Sequence, residues 1–121
     1  MNYIVKKDNI ISIIRGDSFK HIFELETGEF PRKKKLVLGE DDLIYFGVMY
    51  PKDYFEQCIF KKELTIDDID SEGNLILELT PEDTALLQPG IYYYEIKILR
   101  STSEDAYLNT LIQKTKFIIL D

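Results

Sequence analysis

Apolar residues recur along this chain in short runs, most with a period near two, and turn-forming residues separate them. Ile10-Ile11-Ser12-Ile13-Ile14 is β-branched and bounded by Asn9 and Gly16, which predicts a strand. After a Gly16-Asp17 turn, Phe19 to Glu26 alternates through Phe19, Phe23 and Leu25, with Ile22 out of phase, so one face is expected to be buried. Residues 27–42 hold Gly28, Pro31, Gly39 and three consecutive acids and read as a connection, with a short strand at Leu36-Val37-Leu38. Leu43 to Tyr50 is almost continuously apolar, as expected of a strand covered on both faces. Gln57 to Lys62 is a further strand, and Thr65 to Gly73 an acidic turn region. Asn74 to Thr80 alternates, with Leu75, Leu77 and Leu79 on one side. Thr80-Pro81-Glu82-Asp83 has the N-cap, first-turn proline and acids of a helix start, and Pro89-Gly90 limits that helix to one turn. Ile91 to Leu99 is the clearest strand. It sets Tyr92, Tyr94, Ile96 and Ile98 against Tyr93, Glu95 and Lys97. A polar turn, Ser101 to Asp105, precedes the last strand, Leu111 to Leu120.

About seven strands without a long amphipathic helix predict one all-β domain over residues 1–121, a two-sheet antiparallel β-sandwich. A small closed barrel is the structural alternative. The 121 residues suffice to bury roughly two-thirds of the unfolded chain's surface, so no covalent staple is required. None is available internally: Cys58 is the only cysteine, which suits a reducing compartment. The first residues lead into Asp8 and Asn9 rather than a long apolar stretch, and no run approaches a membrane span, so folding in a cytoplasm is expected. A net charge of −7 disfavours general binding to nucleic-acid phosphates, and neither nucleic acid nor membrane is expected as a partner. Arg32-Lys33-Lys34-Lys35 runs against that balance. It reads as a solvated loop, or a basic spot that meets an acidic neighbour, in preference to a nucleic-acid or membrane patch.

The segment Leu87-Gln88-Pro89-Gly90-Ile91-Tyr92 marks the architecture more closely. A strand crossing the end of a sandwich exposes carbonyls near the core, and a Tyr at its start can pack its ring inside and donate its hydroxyl to the upstream chain. Pro89 stiffens the approach, Gly90 permits unusual torsions, and Gly90-Ile91-Tyr92 has the Gly-x-Tyr spacing of immunoglobulin domains. Position 94 is Tyr where antibodies carry cysteine, so an immunoglobulin-like sandwich is the expectation and an antibody domain is not.

Four segments then resemble the small immunoglobulin-like modules of tailed-phage and prophage virions, such as the N-terminal domains of upper-baseplate proteins and similar tail or neck proteins. They are Arg15-Gly16-Asp17-Ser18-Phe19, Asp42-Leu43-Ile44-Tyr45-Phe46-Gly47-Val48, Gly73 to Thr84 with its Gly-x-Leu strand and Asp83-Thr84, and Leu87 to Ile96. The chain closes on Lys116-Phe117-Ile118-Ile119-Leu120, like the final strand of those modules, so the likeness runs from about residue 12 to 121. It implies a non-catalytic virion structural or assembly module in a baseplate, tail or neck. Such a module is made in a bacterial cytoplasm, contacts other virion proteins and forms a homo-oligomer in the particle. Baseplate proteins continue into receptor-binding or trimerising regions, so a free-standing module is the expectation here.

Patterns that could carry chemistry are few. Asp68-Ile69-Asp70-Ser71-Glu72-Gly73 matches the first half of a calcium loop, with Asp68, Asp70 and Glu72 as candidate ligands. The twelfth position is Leu79 rather than Glu and the flanks read as strands, so a surface acidic hairpin is the preferred reading. His21 and Cys58 are read as buried structural residues, since a lone His and a lone Cys supply neither a zinc set nor a triad. Nothing selects a catalytic carboxylate pair, and neither an enzymatic activity nor a cofactor is expected. Tyr50, Tyr54, Phe55 and Tyr93, with the basic run, form a candidate interaction surface. A protein partner is preferred over sugar because Trp is absent; a carbohydrate-binding module is the alternative function.

Overall fold

The structure is a computed structural model that describes residues 3–5, 9–27, 34–35, 37–101 and 106–121. Ten strands are placed: β1 (Tyr3–Val5), β2 (Ile11–Ile14), β3 (Phe19–Phe23), β4 (Glu26–Thr27), β5 (Lys34–Lys35), β6 (Leu43–Met49), β7 (Phe60–Leu64), β8 (Leu75–Leu79), β9 (Gly90–Ser101) and β10 (Ala106–Leu120). One helical turn, α1 (Pro81–Ala85), and two 3-10 turns, Phe55–Gln57 and Ile66–Asp68, interrupt them.

A six-stranded sheet runs β1-β2-β10-β9-β6-β7; β3 pairs with β8, and β4 with β5. The β9 alternation explains why two layers form. Tyr92, Tyr94, Ile96 and Ile98 are buried, while Tyr93, Glu95 and Lys97 between them stay half-exposed. Those buried side chains share one core with Phe46, Phe117 and Ile119 of the large sheet and with Phe19, Phe23, Leu75, Leu77 and Leu79 of β3–β8. The fold is therefore all-β and sandwich-like. Aromatic rings knit the centre: Phe46 lies 5.3 Å from Tyr94 and 5.9 Å from Phe117, centroid to centroid.

Several expectations are corrected. The strands are not all antiparallel: β2 runs parallel to β10, in the register Ile11↔Phe117 to Ile14↔Leu120. Parallel pairing needs a long crossover, and here the rest of the domain supplies it between the two strands. Tyr3–Val5 adds an edge strand that the sequence pattern did not suggest. Val37 and Leu38 form no strand. Leu38 is buried in the core and the Val37 carbonyl accepts a hydrogen bond from the Arg100 guanidinium; Leu36 lies outside the described residues. Strand pairing in that connection falls instead on Glu26↔Lys35 and Thr27↔Lys34. The strand expected from Gln57 starts at Phe60, because Phe55–Gln57 coils into a 3-10 turn. β10 begins at Ala106 and holds its pairing to β9 through register shifts between Thr110 and Thr115.

Side chains tie together segments that are distant in sequence. Tyr94, fully buried, donates its hydroxyl to the Asn9 carbonyl at 2.5 Å, just ahead of β2. Thr80 and Asp83 cap α1 reciprocally, Thr80 N to Asp83 Oδ2 at 2.9 Å and Asp83 N to Thr80 Oγ1 at 3.1 Å. The buried Thr84 hydroxyl accepts from Gly16 N at 3.0 Å and donates to the Asp17 carbonyl at 2.8 Å, while Arg15 donates through Nη2 to the Ala85 carbonyl at 2.9 Å. Gly16 sits in this turn at φ +85°, where any other residue would be strained.

Candidate interaction surface

The surface expected at Tyr50, Tyr54, Phe55 and Tyr93 divides when the chain folds. Phe55 is only 7% exposed, because the 3-10 turn lays its ring on the outer face of β6 at Gly47. Two lysines flank that ring, Lys97 Nζ at 5.3 Å and Lys61 Nζ at 5.6 Å from its centroid, and Lys61 also lies 4.5 Å over Tyr45. Phe55 thus serves the fold and is not available to a partner. Tyr45 is held protonated above the usual phenol range, by burial first and then by the charge and hydrogen bond of Glu63.

Tyr50 and Tyr54 leave the large sheet at the end of β6. The Tyr50 ring stands 5.7 Å from Tyr92 at 36°, and Tyr54 is 73% exposed. Lys114 pins the loop between them, donating to the Pro51 and Asp53 carbonyls at 2.7 Å each, and its ammonium also sits 5.5 Å over Tyr93. Tyr92, just inside, donates its hydroxyl to the Gln88 carbonyl at 2.6 Å. Burial, then Tyr50, pushes its phenol up, against a smaller pull from Arg15. Leu87 is buried beside this corner. Gly90 does not adopt a left-handed torsion, and a Cβ there would meet Tyr92 Cε2 at an ordinary 3.9 Å. The freedom that glycine permits is not used for a left-handed turn here: Gly90 is the first residue of β9, paired with Ile119. Of the basic run, Lys34 and Lys35 form β5; Arg32 and Lys33 lie outside the described residues.

The candidate calcium ligands do not converge. Asp68 Oδ2 accepts from Thr65 N at 2.9 Å, capping the second 3-10 turn. Asp70 Oδ1 accepts from Glu72 N and Asn74 N, each at 2.9 Å, closing the turn to β8. These carboxylates are engaged by local backbone. Among the described residues no three His, Cys, Asp or Glu side chains gather to hold a metal. His21 and Cys58, expected buried, are both half-buried. His21 lies on β3 between Phe19 and Phe23, with its ring 4.7 Å from Phe23, and burial lowers its pKa.

A second surface escaped the sequence reading. Ile14 pairs with Leu120, and Ile118 with Ile91. These four alternate with the buried Ile13, Ile119, Phe117 and Tyr92, so they share the outer face of β2-β10-β9. Ile14, Leu120 and Ile91 are 38%, 46% and 55% exposed, an apolar stripe that nothing in the chain covers among the described residues. The available signal was the lack of alternation in Ile10-Ile11-Ser12-Ile13-Ile14 and Phe117-Ile118-Ile119-Leu120. Beyond the stripe the same face turns basic, with Lys61, Lys97, Lys114 and Lys116 against Glu63 and Glu95, in a protein of net charge −7. Compared with known proteins, the chain matches no family, no curated protein and no solved structure.

Proposed function

We propose that this chain is an immunoglobulin-like structural module of a bacteriophage or prophage particle, non-catalytic, which works by docking other virion proteins through the outer face of its large sheet. The observation that carries the docking role is the apolar stripe Ile14, Leu120, Ile118 and Ile91 beside a lysine-rich patch. An exposed apolar strip rimmed by charge is the usual mark of a protein interface. The immunoglobulin-like assignment draws support from a six-stranded layer facing β3–β8 and from Tyr92, whose hydroxyl reaches the carbonyl of Gln88 from the start of β9. The virion assignment draws on the sequence resemblance. The Gly16-Asp17 and Asp83-Thr84 segments of that resemblance meet in space through the Thr84 hydroxyl, so two of its separate pieces form one structural unit.

The test is composition of the particle. Mass spectrometry of particles purified from the producing bacterium should find the chain at fixed stoichiometry, and its gene should lie among tail or capsid genes. Ile91→Lys and Leu120→Lys should fold normally yet drop out of the particle. Complete particles that lack the wild-type chain would overturn the reading.

A further inference from the structure

We infer that β7 is a self-pairing edge, through which two copies of the chain join their large sheets antiparallel across a twofold axis at Lys62. β7 is the terminal strand of the six-stranded sheet: one side pairs with β6, and no strand borders the other among the described residues. An unpaired edge presents main-chain donors and acceptors to any complementary strand. Lysines on an edge ordinarily deter such pairing by like-charge repulsion. The sequence Phe60-Lys61-Lys62-Glu63-Leu64 behaves differently when it meets itself. With Lys62 on the axis, Lys61 of each copy stands opposite Glu63 of the other, twice, on the outer face. Phe60 stands opposite Leu64, so the strand is self-complementary on both sides of Lys62.

The one like-charge meeting is Lys62 with its own copy, and Asp83 offsets it. Lys62 Nζ lies 3.2 Å from Asp83 Oδ2 within each chain, so each lysine arrives already paired. The charge pattern also selects the partner's direction. In a parallel pairing with residues in register, Lys61 would face Lys61 and Glu63 would face Glu63. The inference rests on the chemistry of this edge and not on membership of a virion; it stands or falls whichever particle the chain belongs to.

Sedimentation equilibrium and light scattering on the purified chain test it. The wild type should show a monomer–dimer equilibrium that weakens as salt rises. Lys61→Glu and Glu63→Lys should each raise the dimer dissociation constant on the order of tenfold, because both crossed pairs become repulsive. Mixed together, those two variants should form a heterodimer, since one copy then carries acids at both positions 61 and 63 and the other carries lysines at both. Circular dichroism of each variant separates lost pairing from lost folding. A wild type that stays monomeric at its highest soluble concentration would overturn the inference. So would a dimer indifferent to both reversals, or two folded variants that do not rescue each other.

Discussion

Phe55 occupies the space that a side chain on Gly47 would need: a Cβ at Gly47 would fall 2.5 Å from Phe55 Cε2. This close approach lets the 3-10 turn after β6 lie flat on the sheet, and it places the ring between Lys61 and Lys97. Gly47→Ala should therefore force the ring outward and cost about 1–3 kcal/mol, seen as a lower urea midpoint. In a Phe55→Leu background the same substitution should cost clearly less. Equal costs in the two backgrounds would mean that the ring and the glycine are not coupled.

The corner separates a hydrogen bond from a torsion. Tyr92→Phe removes only the hydroxyl that reaches the Gln88 carbonyl at 2.6 Å and should cost about 1 kcal/mol. Gly90→Ala should be nearly neutral, within about 0.5 kcal/mol, because the backbone there is ordinary and the nearest atom to a new Cβ is 3.9 Å away. Equilibrium denaturation measures both. A large loss at Gly90 with none at Tyr92 would reverse the assignment.

Thr84 joins α1 to the Gly16-Asp17 turn, whose two residues lie 68 and 67 positions away in sequence. Thr84→Val keeps the shape but strands the Gly16 amide and the Asp17 carbonyl, for a loss of about 1–3 kcal/mol. Thr84→Ser restores the hydroxyl and should recover most of it. If valine and serine behave alike, the hydroxyl is not what holds the turn to α1.

How much of this was legible in the sequence depends on how local each cause is. The β9 faces, the capped single turn at Thr80 and the leucine face of β8 follow from period and capping chemistry, which act within a few residues. The partner of β2 does not: Ile11 to Ile14 carry no mark that their neighbour is Phe117 to Leu120, running parallel. Phe55 looked like a surface aromatic because the glycine that receives it is eight positions earlier on another element. Nothing near Lys114 in the expected strand from Leu111 to Leu120 marks its partners, the carbonyls of Pro51 and Asp53. The stripe at Ile14, Ile91 and Leu120 becomes visible only once strand register puts three separate segments on one face.

Acid should destabilise the fold in two steps, each with a named residue. Burial lowers the His21 pKa from 6.5, so the folded chain holds a neutral imidazole while the unfolded chain takes up a proton. Stability therefore starts to fall as pH drops below about 6.5, and this contribution levels off once the folded imidazole also protonates. Asp83 provides the lower step. Burial alone would raise its carboxyl, but the Thr80 amide and Lys62 together outweigh burial and hold it below its ordinary 3.8. That stabilisation is present above the unfolded value and is lost as pH falls through the folded one. Urea midpoints followed from neutral pH downward should show both declines. His21→Gln should remove the upper decline and leave the lower; Lys62→Met should shrink the lower and leave the upper. An upper decline that persists unchanged in His21→Gln would assign it to another group.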